Sequence, residues 1–367
     1  MLLSELTTLR VGGQAERIVE ATTADELVDA VLDAQSRGEH WIVLGGGSNV
    51  LVGDEGVPGT VILVRSRGVE RLPDVEGSRR PIRLRVQAGE PWDALVAHTV
   101  DQGWAGVEAL SGIPGSTGAA PIQNIGAYGQ ELAESLVSVE VLDLISGERR
   151  LVPAPELRLA YRTSAIKQGW PVVVLSVELA LEVNDDARSR PVAYAQLADS
   201  LGVEIGDRAL LAGVRSATLA LRAGKGMVLD EHDPDSVSAG SFFTNPIVSE
   251  SFARTLPPEA PRWAQQPDPP ALAVPLGAEP APPPPPVEST VKLSAAWLIE
   301  HSGITRGFAL PGSRASVSKK HTLALTNPHG TATADEIAQL ARYIQTRVMS
   351  EFGVALHPEP VFINQQL

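Results

Sequence analysis

Three consecutive glycines, Gly45-Gly46-Gly47, lie between two short apolar runs at residues 41–44 and 50–52. Each run has the length and composition of a β-strand, so the glycines connect two strands. A Rossmann turn needs a helix after its glycines, and a P-loop ends in Gly-Lys-Ser or Gly-Lys-Thr. Neither feature is present, which leaves an ordinary tight turn or a phosphate cradle of another type. We favour the cradle because glycines let backbone N–H groups approach phosphate oxygens closely.

A second glycine-rich segment, residues 111–129, reads Ser-Gly-Ile-Pro-Gly-Ser-Thr-Gly-Ala-Ala-Pro-Ile-Gln-Asn-Ile-Gly-Ala-Tyr-Gly. Its small residues would let a flat ligand lie against the backbone. Gln123 and Asn124 add both hydrogen-bond donors and acceptors. A loop that only connects two elements does not need this combination, so we predict a ligand-binding segment.

The chain is acidic: 44 acidic and 30 basic residues among 367 give a formal net charge of −14. This charge, without any Lys/Arg-rich run, argues against nucleic acid and anionic membranes as partners. The lack of cysteine excludes thiolate metal ligands and cysteine nucleophiles, and the scattered histidines predict no metal site. The chain has no signal-peptide pattern and no run of about 18 apolar residues, so we expect a cytoplasmic protein without membrane insertion.

Apolar periodicity predicts an α+β fold. The sequence Thr23-Ala24-Asp25-Glu26 is typical of a capping box, which would start a helix that ends near Gly38. We predict further helices near 91–98, 196–201, 210–221, 295–301 and 334–352. We predict strands at 41–44, 50–52, 60–64, 82–86, 137–145 and 172–181.

Residues 256–286 carry nearly half of the 29 prolines of the chain. Proline lacks an N–H and favours polyproline II, so we predict an insertion without a ladder of backbone hydrogen bonds. A proline-rich ligand for a partner domain is the alternative, although no basic residue flanks the proline run.

In their order along the chain and in their amino-acid sequence, the two glycine-rich segments resemble the FAD-binding domain of the vanillyl-alcohol-oxidase type found in UDP-N-acetylenolpyruvylglucosamine reductases. Residues 121–129 are specific to one branch of that family, and Leu9-Arg10-Val11-Gly12-Gly13 also matches it. The resemblance covers the chain apart from the proline-rich stretch. It implies two α/β lobes around a non-covalent FAD and a C-terminal α+β substrate domain. The residues that it assigns to FAD are Gly45, Gly46, Gly47, Ser48, Asn49, Val50, Leu51, Pro114, Gly115, Ser116, Gly118, Ala119, Gln123, Asn124, Gly126 and Ala127.

The same resemblance assigns catalytic roles to Arg162, Ser241 and Glu359. Arg162, within Tyr-Arg-Thr-Ser, would contact the enolpyruvyl carboxylate, which a guanidinium can bind as a fork. Ser241, within Gly-Ser-Phe-Phe-Thr-Asn-Pro, would donate a proton. The sequence lacks the Gly-x-Ser-x-Gly elbow of a hydrolase, which argues against hydrolysis. Glu359, between two prolines, would assist the protonation. Alone, the three would read as a surface arginine, a turn-capping serine and a solvated glutamate.

The resemblance also implies three substrate-binding residues. Lys225 would lie near the UDP diphosphate, Tyr194 would close on the nucleotide from a loop, and Asn245 would help to hold the substrate. Two positions depart from the family pattern. Thr7 stands where asparagine is common in the family. Lys319 stands where threonine is common, and nothing in the sequence explains this second difference.

The implied reaction is the reduction of UDP-N-acetylglucosamine enolpyruvate by NADPH through FAD, by a monomer. The implied domains are residues 1–70, with 353–367 packed back on them, 71–226, and 227–352. Three alternatives remain at this point: an FAD oxidoreductase with another substrate, a non-catalytic UDP-sugar-binding protein, and a scaffold that uses the proline-rich stretch.

Overall fold

A computed structural model describes residues 1–74, 76–183, 186–265 and 289–367. The described residues form an α+β fold, as the periodicity predicts. The α-helices are α1 (Ala24–Ser36), α2 (Trp92–Asp101), α3 (Ala195–Leu201), α4 (Leu211–Ala223), α5 (Glu250–Ala253), α6 (Ala295–His301) and α7 (Ala334–Phe352). The strands are β1 (Ala15–Ala21), β2 (Trp41–Leu44), β3 (Val50–Val52), β4 (Val57–Val64), β5 (Val69–Leu72), β6 (Ile82–Gln87), β7 (Trp104–Ala105), β8 (Gly126–Ala127), β9 (Gln130–Glu131), β10 (Leu136–Asp143), β11 (Arg149–Pro153), β12 (Val172–Val183), β13 (Ser238–Ser241), β14 (Ile247–Ser249), β15 (Arg262–Gln265), β16 (Thr290–Leu293), β17 (Ser316–Val317), β18 (Ala324–Thr326) and β19 (Val361–Ile363).

The strands divide into sheets that follow the chain. A parallel sheet of order β1-β4-β2 comes first, and an antiparallel sheet of order β11-β10-β12-β6-β5 follows, with β7 added to β12. Two small antiparallel sheets, β13-β18-β17 and β14-β16-β15, belong to the last third. The final strand, β19, returns to pair in parallel with β3. We propose the division at residues 70, 226 and 352, although the first limit falls within β5, which pairs with β6 in the second sheet.

Local sequence signals explain most boundaries. Helix α1 begins after Thr23, whose hydroxyl accepts the N–H of Glu26, and Gly38 follows the helix with a φ of 65°. The Glu26 carboxylate, however, binds the N–H and hydroxyl of Thr22 rather than Thr23. Strand β10 ends two residues before the predicted limit. The reason is that the Asp143 carboxylate accepts the N–H groups of residues 145 and 146 and turns the chain.

The proline-rich stretch is only partly described, since residues 266–288 lie outside the described part. Within its first ten residues, Arg262–Gln265 form strand β15, which pairs with β16. The prediction of no ladder is therefore wrong for this portion. These four residues contain no proline, so each has an N–H to donate, and the Arg262 guanidinium anchors them on the carbonyls of Ala253 and Pro257 at 2.8 and 2.6 Å.

Helix α7 shows how the last third is fixed to the first lobe. The Asp54 carboxylate accepts the N–H groups of Ala334 and Asp335, which are otherwise unpaired at a helix start. Thr333 and Glu336 form a capping box at the same end. In the part of the chain that the structure describes, neither α7 nor any other helix has the length and apolarity of a membrane span.

Glu336 gives a stability prediction. Burial opposes its ionisation, but hydrogen bonds from the Arg314 side chain and from the N–H groups of Thr333 and Arg314 lower its pKa to about 2. A carboxyl with a depressed pKa stabilises the fold above its ordinary pKa of 4.5, and this contribution disappears as the pH falls toward about 2. We expect Glu336→Gln to lower the free energy of unfolding by about 1 kcal/mol at pH 7, and by progressively less in acid. Urea titrations of both proteins across this pH range measure the difference in the free energy of unfolding. A difference that stays constant with pH would contradict the link to the Glu336 pKa.

Candidate active site

A large cleft contains most of the residues predicted for cofactor binding and catalysis. The space free of protein atoms is about 1680 Å³, a volume that includes open solvent at its mouth. Its walls come from both glycine-rich segments, the start of β12, and the three predicted catalytic residues. The segments thus meet around one space although they are far apart in sequence.

The two glycine-rich segments pack backbone against backbone, and glycine is required at the contact. A Cβ on Gly46 would lie 2.6 Å from the Cα of Gly115, and a Cβ on Gly47 would lie 2.0 Å from the carbonyl oxygen of Leu6. The Ser48 hydroxyl donates to the Pro114 carbonyl at 3.0 Å, which joins the two segments directly. A larger residue at Gly46 would therefore force the segments apart.

Both segments present backbone N–H groups that have no acceptor in the described part of the protein. Among the described residues, no acceptor is found for the N–H groups of residues 46–49 in the first segment or of Gly115 and Ser116 in the second. Gly47 and Ser116 are buried, where backbone donors are nearly always paired, and successive N–H groups that face a cleft can bind an anion. This observation supports a pyrophosphate in the cleft, as FAD would supply.

The predicted FAD residues divide into two groups. Those that line the cleft are Gly45, Gly46, Gly47, Ser48, Asn49, Val50, Pro114, Gly115, Ser116, Gly118, Ala119, Gln123 and Gly126. Leu51, Asn124 and Ala127 do not line it. Leu51 is in the hydrophobic core, and the buried Asn124 binds Glu131 Oε2, the Ala160 carbonyl and the N–H of Ala133, so its amide organises the loop.

Arg162 occupies a tight turn in which Ala160 and Thr163 exchange both backbone hydrogen bonds. Its φ of 54° is left-handed, a conformation that usually favours glycine or asparagine. The guanidinium donates to the Gly126 carbonyl at 2.6 Å and to the Asn124 carbonyl at 3.3 Å. The strained turn and these contacts fix the guanidinium at the cleft wall.

Glu359 reaches the same wall from the C-terminal segment. Its Oε1 lies 3.4 Å from Nε of Arg162. Burial raises the pKa of the Glu359 carboxyl above its ordinary value, against the opposing charges of Arg162 and Lys167. The carboxyl therefore keeps its proton to a higher pH than a solvated glutamate.

Ser241 is held next to Glu359 by backbone pairing. The N–H of Glu359 donates to the carbonyl of Phe242 at 2.8 Å, and the N–H of Thr244 donates to the carbonyl of His357 at 3.0 Å. Ser241 ends β13, where it pairs with Ala324 of β18, and it lines the cleft. Hydrogen bonding thus brings a hydroxyl and a protonatable carboxyl together, although residues 241 and 359 are distant in the chain.

The three predicted substrate residues do not line this cleft. Lys225 Nζ lies 5.2 Å from the centre of the Tyr128 ring and donates to Gln196, and Tyr194 packs edge-on against Tyr128. The Asn245 Oδ1 accepts the N–H of Ala295 at the start of α6. Lys225 and Tyr194 therefore form one aromatic–cation group around Tyr128. Asn245 lies apart from this group, at the start of α6.

Two cations that line the cleft were not predicted from the sequence, Lys167 and Arg222. Lys167 follows the Tyr-Arg-Thr-Ser motif, and Ser164 of that motif accepts its N–H. Arg222 is near the end of α4, three residues before Lys225, and burial lowers its pKa to about 10. The only sequence signal for these two cations is their closeness in the chain to Arg162 and Lys225. The described residues contain no group of three or more side chains arranged to bind a metal ion.

Comparisons with known proteins agree with this arrangement. Residues 15–150 match the family described as FAD binding domain, and residues 233–363 match UDP-N-acetylenolpyruvoylglucosamine reductase, C-terminal domain. A UDP-N-acetylenolpyruvoylglucosamine reductase from Leifsonia xyli is 56% identical, covering 100% of this chain and 98% of the relative. One from Salinispora arenicola is 50% identical, covering 99% and 94%.

A solved structure gives the same result for the fold. The crystal structure of UDP-N-acetylenolpyruvylglucosamine reductase from Thermus caldophilus superimposes with a TM-score of 0.63 at 25% identity, covering 99% of this chain and 97% of that one. The predicted FAD-binding fold with a C-terminal α+β domain is confirmed.

Proposed function

Because the chain belongs to the UDP-N-acetylenolpyruvoylglucosamine reductase family, we propose that it reduces UDP-N-acetylglucosamine enolpyruvate to UDP-N-acetylmuramate. NADPH is the reductant, FAD is the cofactor, and the product serves peptidoglycan synthesis. The observation that carries the proposal is the convergence of Arg162, Ser241 and Glu359 on the cleft formed by the two glycine-rich segments. The lack of cysteine fits a reducing cytoplasm, in which we propose that the enzyme acts as a monomer.

FAD fits the residues that are present. The unpaired N–H groups of residues 46–49, 115 and 116 would hold the pyrophosphate, and the small residues of the second segment would contact the flat ring. Bound FAD would supply the hydride, with NADPH as the source of the electrons. The protein supplies binding, orientation and charge.

A variant at the loop contact tests this cradle. We expect Gly46→Ala to weaken FAD binding about 10- to 100-fold, because its Cβ would meet backbone rather than a movable side chain. Fluorescence titration of the apoprotein with FAD measures the change. Gly213→Ala is the matched control, since its Cβ would meet only Leu201 Cδ2 at 3.9 Å; equal affinity in the two variants would argue against the cradle.

Arg162 and Glu359 would act on the substrate carboxylate. An enol ether is electron-rich, so hydride addition to its double bond is unfavourable unless the attached carboxylate accepts the developing negative charge. The Arg162 guanidinium would bind that carboxylate, and the protonated Glu359 could donate a hydrogen bond to it. The raised pKa of Glu359 favours the protonated form that this role needs.

Ser241 would complete the reaction. One carbon of the double bond forms a new C–H bond with the hydride, and the neighbouring carbon takes a proton from the Ser241 hydroxyl. Lys225 and Tyr194 would bind the UDP diphosphate and the nucleotide, and Asn245 would help to hold the sugar. A lysine ammonium is suited to a diphosphate because it is a compact point charge.

Product analysis tests the proposal. We expect a yellow protein that, without oxygen, oxidises NADPH over many turnovers only when the enolpyruvyl UDP-sugar is present, and mass spectrometry should identify a product with two additional hydrogens. A yellow protein that oxidises NADPH with another acceptor would indicate a different substrate. A colourless protein that binds the UDP-sugar would indicate a non-catalytic role.

A further inference from the structure

Lys167 is a charged residue of the cleft to which the proposed mechanism assigns no role. Its Nζ lies 3.4 Å from Oε1 of Gln123 and 3.5 Å from the backbone carbonyl of Glu359. The Nδ2 of Asn49 donates to the same two oxygens, at 2.8 and 3.3 Å. Four segments that are remote in sequence therefore meet at two shared acceptors.

The local structure directs Lys167 to this point. The Ser164 hydroxyl accepts the N–H of Lys167 and donates to the carbonyl of Ile122, so the segment is fixed to the second glycine-rich segment. Arg162 extends from the preceding turn of the same segment. One rigid piece of chain thus carries both cations that oppose the buried carboxyl of Glu359.

Two cations among the described residues act on the charge of the Glu359 carboxyl. Arg162 and Lys167 are the cations that favour its ionised form, and burial opposes them. Tyr161 also faces the carboxyl, and its own pKa is raised, mainly by burial and also by Glu359. The contacts from the two glycine-rich segments and from the residue after β13 are uncharged: Asn49, Gln123 and the carbonyl of Phe242.

We propose that Lys167 is a positioning residue for the reaction. It holds the Glu359 backbone against the second glycine-rich segment, and its charge sets, together with Arg162, the protonation of the Glu359 carboxyl. This inference rests on the proposed function of Glu359 as a hydrogen-bond donor to the developing anion.

The test compares Lys167→Met with Lys167→Arg in the FAD-loaded enzyme. Removing the cation disfavours the ionised carboxylate and so raises the pKa of Glu359. In the pH–rate profile for oxidation of the reduced enzyme by the enolpyruvyl substrate, the high-pH limb should therefore move to higher pH in Lys167→Met. We expect a rate about 10-fold lower at neutral pH, because the clamp on Glu359 is also lost. Lys167→Arg should restore the limb. Gln168→Met, an exposed neighbour, should match the wild type.

A slower Lys167→Met enzyme with an unmoved limb would reduce Lys167 to a structural clamp and overturn the proposal. A second readout does not need turnover: ¹³C NMR titration of the Glu359 carboxyl, assigned with Glu359→Gln, should show a higher pKa in Lys167→Met than in the wild type. If the wild type fails to reduce the substrate but this NMR shift appears, the proposed function fails while the Lys167–Glu359 coupling stands. If the NMR titration is unchanged, the coupling itself is wrong.

Discussion

The Ser241→Ala enzyme should bleach normally with NADPH and then recover its colour slowly with the enolpyruvyl substrate. Positioned proton donors contribute about 10²- to 10⁴-fold to a rate, so we expect the second half-reaction to fall by about 10³-fold. The first half-reaction needs no proton from Ser241, and its rate should stay within about twofold. Anaerobic stopped-flow absorbance measures both half-reactions in one sample.

The control for this substitution lies in the same motif. Thr244→Val also removes a hydroxyl, but Thr244 donates to the His357 carbonyl and does not line the cleft. We expect both of its half-reactions to resemble those of the wild type. Equal loss of the two half-reactions in Ser241→Ala would show a general disturbance of the site, and the proton-donor role would be wrong.

Arg162→Lys should be the second severe variant, although it keeps the positive charge. An ammonium cannot make the contacts to the Gly126 and Asn124 carbonyls and also face Glu359 with the geometry of a planar guanidinium. We expect substrate reduction to fall about 10²- to 10³-fold, comparable to the removal of one donor that stabilises a developing anion. Single-turnover oxidation of the reduced enzyme provides the measurement.

Arg158→Lys is a well-matched control for Arg162→Lys. Arg158 also has a left-handed φ, 48°, but its side chain is exposed and lies outside the cleft. It should keep full activity. Near-wild-type activity in Arg162→Lys would mean that charge alone suffices, and that the planar fork has no role in binding the carboxylate.

Elements with strong local signals could be predicted from the sequence. Helices α6 and α7 have the predicted limits, because Ser294 and Thr333 cap their first turns by accepting the N–H groups of Trp297 and Glu336. The end of strand β10 could not be predicted correctly, because it depends on the hydrogen bonds that Asp143 makes once the chain has turned. The same applies to β15, which exists only because β16 pairs with it.

The candidate site was predictable to a different extent. The glycine triplet alone indicated a non-Rossmann cradle, but FAD and the three catalytic roles came from the family resemblance. An amide in a loop looks the same in sequence whether it binds a ligand or, like Asn124, the protein itself. Lys167 was missed because its partner Glu359 follows 192 residues later, a pairing that only the fold creates.

We propose that one cleft accepts electrons from NADPH and delivers them to the enolpyruvyl UDP-sugar. The most direct measurement is anaerobic titration of the purified FAD-loaded protein, followed by flavin absorbance. The predicted result is that NADPH bleaches the flavin and that one equivalent of the enolpyruvyl substrate restores its colour and yields UDP-N-acetylmuramate. A flavin that stays bleached after the substrate is added, in protein that binds the substrate, would contradict the account.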